Sequence, residues 1–218
     1  MISTLAGYSS RCQFAWRTSL ILVAVLSLIS LNSDASSSRD FKKVLSQTLE
    51  KGVFLIASRE MTDPRFRGTV ILVTEHEREG TLGIIINRPT DIDMADIFPD
   101  MDALKEHVMH PYIGGPIHPT FLSVLVNNPQ SRKDMLPVID DVFFGLGNGL
   151  AADLIADAKK DDRLHVYFGY AGWTAGQLEY ELHRGDWYMI KADDEAIFDK
   201  DPAKLWNKYI KLVTGIWL

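Results

Sequence analysis

The stretch VFLIASREMTDPRFRGTVILVTEHEREGTLGIIINRP, residues 53 to 89, decides the fold. It contains three short runs of aliphatic and β-branched residues, at 53–57, 69–73 and 82–87. Asp63-Pro64 and the charged turn 75–80 separate them, and Arg88-Pro89 closes the last. Short runs of this kind, bounded by turn formers, read as strands. The second and third, joined through Gly80, predict a hairpin. Their near-continuous apolar character predicts burial on both faces, which places them at the centre of a fold.

On the N-terminal side, Phe41, Val44, Leu45 and Thr48 fall at helical spacing, with Gly52 as the stop, and predict a first helix. On the C-terminal side, residues 93–98 read as a helical turn, 112–116 (YIGGP) as a loop and 121–126 as a strand ending at Asn127-Asn128-Pro129. Residues 138–144 read as one strand, 150–159 as a helix, and 164–168 and 187–190 as strands. Asp201-Pro202 reads as the capped start of a last helix, whose apolar face is Leu205, Trp206, Tyr209, Ile210 and Val213. About seven strands and five helices, without strict alternation, predict a single α+β domain over residues 36–218.

Residues 168–187, FGYAGWTAGQLEYELHRGDW, read as a strand-to-helix corner. Thr174 and Gln177 have the spacing of a capping box, in which each side chain meets the other residue's amide. The helix that follows is expected from about 175 to 184, with Gly185 as its stop. Glu179 and His183, four apart, are expected to pair on its surface, while Glu181 points toward Gln177 and solvent. Glycines here permit positive φ and close backbone approach beside Trp173, and a helix N-terminus flanked by small residues is able to bind an anion.

Composition bounds the function. Of 218 residues, 46% are hydrophobic and 24% charged, the balance of a globular protein. Leu20 to Leu31 is an apolar run preceded by Arg11 and Arg17 and followed by Ser33-Asp34-Ala35. This is the pattern of a secretory signal over residues 1–35, cleaved after Ala35, and implies export to the periplasm or cell envelope with no stable transmembrane span after processing. An uncleaved anchor and a start codon placed too early for a cytoplasmic protein are the alternatives. Cleavage would remove two arginines and one aspartate, taking the formal charge from -6 to -7. With acidic charge and no basic stripe, direct nucleic-acid binding is not expected. Cys12, the only cysteine, precedes the apolar run, so a chain beginning at Ser36 has no thiol.

The segments 51–89, YIGGPI at 112–117 and FGYAGWTAGQLEYELHRGDWYMI at 168–190 together resemble the AlgH/YqgE family of bacterial proteins, in the right order over nearly all of residues 51–191. The resemblance implies a sandwich-like α/β domain whose mostly antiparallel strands bend into an open, barrel-like sheet flanked by helices. The family name implies a role in regulating exopolysaccharide transcription, without a known activity, catalytic set or DNA-binding motif. The chain departs from the family at Ser58-Arg59, where proline is common, at 145–149 (GLGNG), which replaces a more polar segment, and in its export signal.

Two functional readings follow. The first is a non-enzymatic binding protein that recognises a protein or small-molecule partner without a cofactor. Its surface is expected to include His76, Asn87, Gly114, Gly115 and Pro116 from the earlier motifs. Gly172, Trp173, Gln177 and Glu181 complete it from the later one. The second is a hydrolase-like enzyme using His76 with Asp63, Glu179 or Glu181. His107, His110 and His118 match no compact ligand spacing, so they read as a solvated loop and no metal is expected. Gly145-x-Gly147-x-Gly149 lacks both the third glycine of a dinucleotide fingerprint and a P-loop lysine, and reads as a turn.

Overall fold

The structure is a computed structural model and describes residues 48–106, 108–127, 134–158 and 163–215. The signal reading at 1–35, most of the expected first helix, His107 and the turn at Asn128-Pro129 lie outside the described residues. Residues 48–52 form a bend and turn that lead into the first strand rather than a helix end.

Nine strands form one sheet: β1 (Val53–Ala57), β2 (Val70–Glu77), β3 (Gly80–Ile85), β4 (Tyr112–Ile113), β5 (Ile117–Asn127), β6 (Leu136–Ile139), β7 (Val142–Leu146), β8 (Leu164–Thr174) and β9 (Trp187–Lys191). Their order is β6-β7-β5-β8-β3-β2-β1-β9, with β4 alongside β8. All pairs are antiparallel except β4 with β8. Around the sheet stand α1 (Met94–Ile97), α2 (Asp102–Glu106), α3 (Asn148–Asp157), α4 (Gln177–Arg184), α5 (Asp194–Ile197) and α6 (Leu205–Thr214). A 3₁₀ turn, Pro202–Lys204, precedes α6 in place of a capped α-helical start.

The central three strands behave as their sequence predicts. Phe54, Ile56, Val70, Leu72, Ile84 and Ile86 face one core, while Val53, Leu55, Ile71, Val73 and Ile85 face another. The first core lies inside the bent sheet, where it meets Leu125, Phe144 and Tyr167 from the far strands and Tyr209, Ile210 and Val213 of α6. A third core covers β5 and β8 beneath α1, α2 and α3, with Met94, Leu104, Val124, Ala151 and Ile155 buried together. The sheet is barrel-like but open. Edge strand β6 turns back toward the start of β1, where Lys51 Nζ donates to Pro137 O at 2.9 Å, but the two strands form no ladder.

Three expectations are corrected. Residues 138–144 are not one strand but a hairpin of β6 and β7, turning at Asp140 with φ of 40°. Residues 112–116 are not wholly loop, because Tyr112 and Ile113 pair in parallel with Tyr167 and Phe168. The third concerns β8, which does not stop at Phe168. It continues to Thr174 and takes on a second antiparallel neighbour on the way, pairing with β5 from Leu164 to Phe168 and again at Tyr170, and with β3 from Ala171 to Thr174. Gly169, with φ of 67°, sits at the break in the β5 pairing. Val166 and Phe168 belong to the helix-covered core, whereas Ala171 and Trp173 belong to the core under α4. A single left-handed residue therefore inverts the in/out alternation of the strand, as a bulge does.

Candidate functional site

The Gly114-Gly115 pair shows what the conformational break in β8 requires. A Cβ on Gly114 would stand 2.4 Å from Gly169 O, and one on Gly115 would stand 2.1 Å from the carbonyl carbon of Tyr170. Two backbones cross here at a distance only glycine permits. Gly114 N donates to Phe168 O and Gly114 O accepts from Ile85 N, each at 2.8 Å. Both glycines are buried and the Gly114 backbone hydrogen-bonds into the crossing, so they position the next residue, Pro116, without presenting a surface of their own.

Asn87 is likewise structural in its contacts. Its Oδ1 accepts from Val70 N at 2.8 Å and its Nδ2 donates to Gly68 O at 2.9 Å. The neighbouring Arg88 donates to Arg65 O at 2.6 Å and to Arg67 O at 3.1 Å. Together they pin the loop between β1 and β2, the DPRFRG segment, by its carbonyls. Arg67 tightens it further by donating to Met61 O and Thr62 O.

That pinned loop forms one wall of a cleft of about 170 Å³. Met61, Thr62, Asp63, Arg65 and Phe66 line it on one side, Pro116, Ile117, Gly172 and Trp173 form its floor, and Gln177, Glu181, Arg184 and Asp186 close it. At its back lies an aromatic cluster: Phe66 stacks on Trp173 at 6.3 Å between ring centroids, and Trp187 meets both edge-on at 5.6 and 6.1 Å. The two indoles converge on a single acceptor. Trp173 Nε1 and Trp187 Nε1 each donate to Glu181 Oε2 at 2.9 Å, and Gln177 Nε2 donates to Glu181 Oε1 at 3.0 Å. Glu181 is thus a fixed carboxylate in a cleft rather than a solvated surface group.

Gln177 is the hinge of this arrangement. Its Oε1 accepts from Thr174 N at 3.2 Å, one half of the expected capping box. The threonine hydroxyl does not accept the Gln177 amide in return but donates to Gln177 Oε1 at 3.3 Å, because α4 begins at Gln177 itself, after Gly176 at φ of 76°. Gly185 ends the helix in the left-handed conformation and donates to Glu181 O and Leu182 O, as its position predicts.

The charged rim consists of two pairs that sequence reasoning did not connect. Asp63 accepts from Arg65 Nη2 at 2.7 Å and Nε at 3.0 Å, and the Arg65 hydrogen bond holds the Asp63 carboxyl below its ordinary value. Asp186 pairs in the same manner with Nε and Nη2 of Arg184, raising the guanidinium above its usual range. Both are aspartate and arginine two residues apart, Asp63-Pro64-Arg65 and Arg184-Gly185-Asp186, and that repeated spacing was the available signal.

His76 lies elsewhere. It lines a second depression of about 360 Å³ with Thr81, Gly176 and Glu179, so it shares a surface with one of the three expected carboxylates and not with Asp63 or Glu181. His76 Nδ1 bonds the Thr81 hydroxyl at 2.8 Å, and among the described residues no carboxylate hydrogen-bonds the ring. Glu179 and His183 make no ion pair there either. His110 Nδ1 bonds Ile92 O, and His118, at φ of 46°, tilts against Tyr170, so these two stand apart in separate contacts. The 145–149 segment is the turn from β7 into α3, with Gly147 at the N-cap. Among the described residues, no helix is long and apolar enough to cross a membrane, and no three His, Cys, Asp or Glu side chains cluster as a metal site.

Comparison with known proteins places this geometry in a lineage. Residues 54–217 match the AlgH-like family. The chain belongs to the AlgH-like family. A UPF0301 protein of Chlorobaculum tepidum is 31% identical over 170 residues, 78% of this chain and 89% of that protein. A UPF0301 protein of Cupriavidus metallidurans is 37% identical over 164 residues, 73% of this chain and 86% of that protein. The solution structure of the AlgH protein from Pseudomonas aeruginosa is 30% identical, covers 79% of this chain and 92% of its own, and superimposes with a TM-score of 0.64. Protein DIP2367 from Corynebacterium diphtheriae, at 20% identity and a TM-score of 0.64, shares the fold. The α+β architecture read from the sequence is therefore that of its family.

Proposed function

We propose that this AlgH-like protein is a non-enzymatic interaction module whose cleft between the β1–β2 loop and α4 receives a side chain of a protein partner. The observation that carries this reading is the Glu181 carboxylate, fixed by two indoles and an amide while lining an open cleft. A carboxylate needed only to hold two tryptophans has no reason to face a cavity. Size selects the ligand class. At about 170 Å³ the cleft is below the roughly 300–1,000 Å³ that encloses a metabolite, yet it accommodates one protruding side chain. The hydrolase reading has weaker support, because among the described residues no carboxylate hydrogen-bonds the His76 ring, and Asp63 and Glu181 belong to the other cleft.

Any influence on transcription would on this reading pass through a protein partner, since a formal charge of -6 disfavours approach to phosphate. We further propose that the partner resides in the cell envelope, from the export signal read in residues 1–35. An intact mass beginning at Ser36 in an envelope fraction supports that placement, and a full-length chain in the cytosol refutes it. The cleft itself is tested by closing it. Thr62 and Arg184 are exposed at its mouth. Thr62→Trp and Arg184→Trp should each leave the melting temperature within about 2 °C while removing partner capture. Capture that persists in both variants refutes the assignment of the cleft.

A further inference from the structure

We infer that the side chain received by this cleft is cationic, the ammonium or guanidinium of a lysine or arginine on the partner, with its charge on Glu181 and its stem against the apolar lining. The inference rests on the cleft being the binding surface, as proposed above, and goes on to name the chemistry of its occupant.

Charge points the same way from each side of the cleft. Five ionisable groups line it: Asp63, Arg65, Glu181, Arg184 and Asp186. The two arginines are taken up by the two aspartates, each through its Nε and Nη2 edge. Among the described residues, Glu181 has no cation. Its partners are an amide and two indoles, neutral donors that orient the carboxylate without cancelling its charge. The cleft therefore carries one uncompensated negative charge.

Valence agrees with charge. A carboxylate accepts about four hydrogen bonds. Oε2 is filled by the two indoles, while Oε1 holds only Gln177 and has one site left. Glu181 shares the cleft with the apolar side chains of Phe66, Pro116, Ile117 and Trp173. Apolar walls beside a carboxylate suit a side chain with a methylene stem and a positive head, which gains the charge-assisted hydrogen bond while its stem covers apolar surface. An anion would meet the reverse, a net negative cleft whose arginines are already committed. The formal charge of -6 on the whole chain adds long-range steering toward a basic partner.

The indole N–H groups of Trp173 and Trp187 are reporters built into the site. The test is an NMR titration of the ¹⁵N-labelled full chain with Nα-acetyl-lysine N-methylamide, its arginine counterpart, the isosteric norleucine compound and Nα-acetyl-glutamate N-methylamide. The lysine and arginine compounds should shift both indole signals to saturation, with norleucine and glutamate at least about tenfold weaker and the affinity falling as salt is added. Glu181→Gln, which keeps an acceptor for the indoles, should reduce lysine affinity at least about tenfold; the comparison of probes on the unaltered chain stands even if that variant misfolds. Norleucine matching lysine, or glutamate outcompeting it, overturns the inference. If the probes fail while Thr62→Trp still removes partner capture, only the cationic occupant is lost; if capture also survives Thr62→Trp and Arg184→Trp, the binding reading falls with it.

Discussion

Gly115→Ala separates a glycine kept for a ligand from one kept for the fold. The added methyl would lie 2.1 Å from the carbonyl carbon, 2.2 Å from the oxygen of Tyr170 and 2.4 Å from Ala171 N, where carbon contacts are comfortable only at about 3.5–4.0 Å. All three are backbone atoms of β8, held on both sides by strand pairing, so no rotamer change relieves the clash. The segment carrying Gly115 must lift away. Doing so strains the bonds that fasten it, Gly114 N to Phe168 O, Ile85 N to Gly114 O and Ile113 N to Arg88 O. Overpacking costs about 1–3 kcal/mol and each strained hydrogen bond about 0.5–1.5 kcal/mol, so we expect about 3–6 kcal/mol in all. A domain of this size typically has about 5–15 kcal/mol to lose. Urea denaturation followed by tryptophan fluorescence should show the midpoint falling by about 2 M. Gly149→Ala is the matched control, because a methyl there meets nothing within 4 Å and the residue lies inside α3. It should gain about 0.5–1 kcal/mol. A midpoint for Gly115→Ala within 0.3 M or so of the parent would refute the backbone crossing as the reason for this glycine.

Three further outcomes are expected. Glu181→Ala strands the indole N–H groups of two tryptophans that are 6% and 3% exposed, costing about 2–5 kcal/mol and lowering the melting temperature by about 5–15 °C; a variant melting with the parent would show that the network contributes nothing. Burial beside Tyr112, Tyr167 and Phe198 lowers the His165 imidazole to about 4. The unfolded chain then binds one more proton between pH 6.5 and 4, so stability should fall as acid is added across that window by at most about 1.4 kcal/mol per pH unit. His165→Gln should flatten that part of a stability-against-pH curve, and an unchanged slope counts against it. Ser123, fully buried with no partner for its hydroxyl among the described residues, should be improved by Ser123→Ala, by about 1 kcal/mol in urea unfolding; a loss would mean that the hydroxyl is satisfied.

The parts of the fold visible in the sequence were those in which local pattern and final environment agree. The runs at 53–57, 69–73 and 82–87 are apolar on both sides because cores lie on both faces. The β6–β7 hairpin escaped notice because its turn, Asp140-Asp141, carries neither glycine nor proline, so the two aspartates read as polar positions within a single strand. The course of β8 was hidden for the opposite reason. Gly169 and Gly172 look like punctuation, but one inverts the strand and the other leaves room for Ile117. Of the candidate surface, Pro116, Gly172, Trp173, Gln177 and Glu181 do converge on one cleft, whereas Asn87, Gly114 and Gly115 serve the backbone and His76 faces a separate depression. The convergence of two indoles from β8 and β9 on one glutamate of α4 was beyond sequence reading, since no spacing encodes a contact among three elements.

The double pairing of β8 also bears on how the chain acquires its structure. During synthesis every strand from β1 to β7 leaves the ribosome before β8, yet β3 and β5 have no ladder to each other except through it. Residues before 164 can form hairpins but not a closed core, so the nascent domain must wait, with its apolar faces open, for about the last quarter of its sequence. The same strand couples the finished domain: β8 is the ladder partner of both halves of the sheet, so its release opens both, and amides of β3 and β5 should exchange with solvent together.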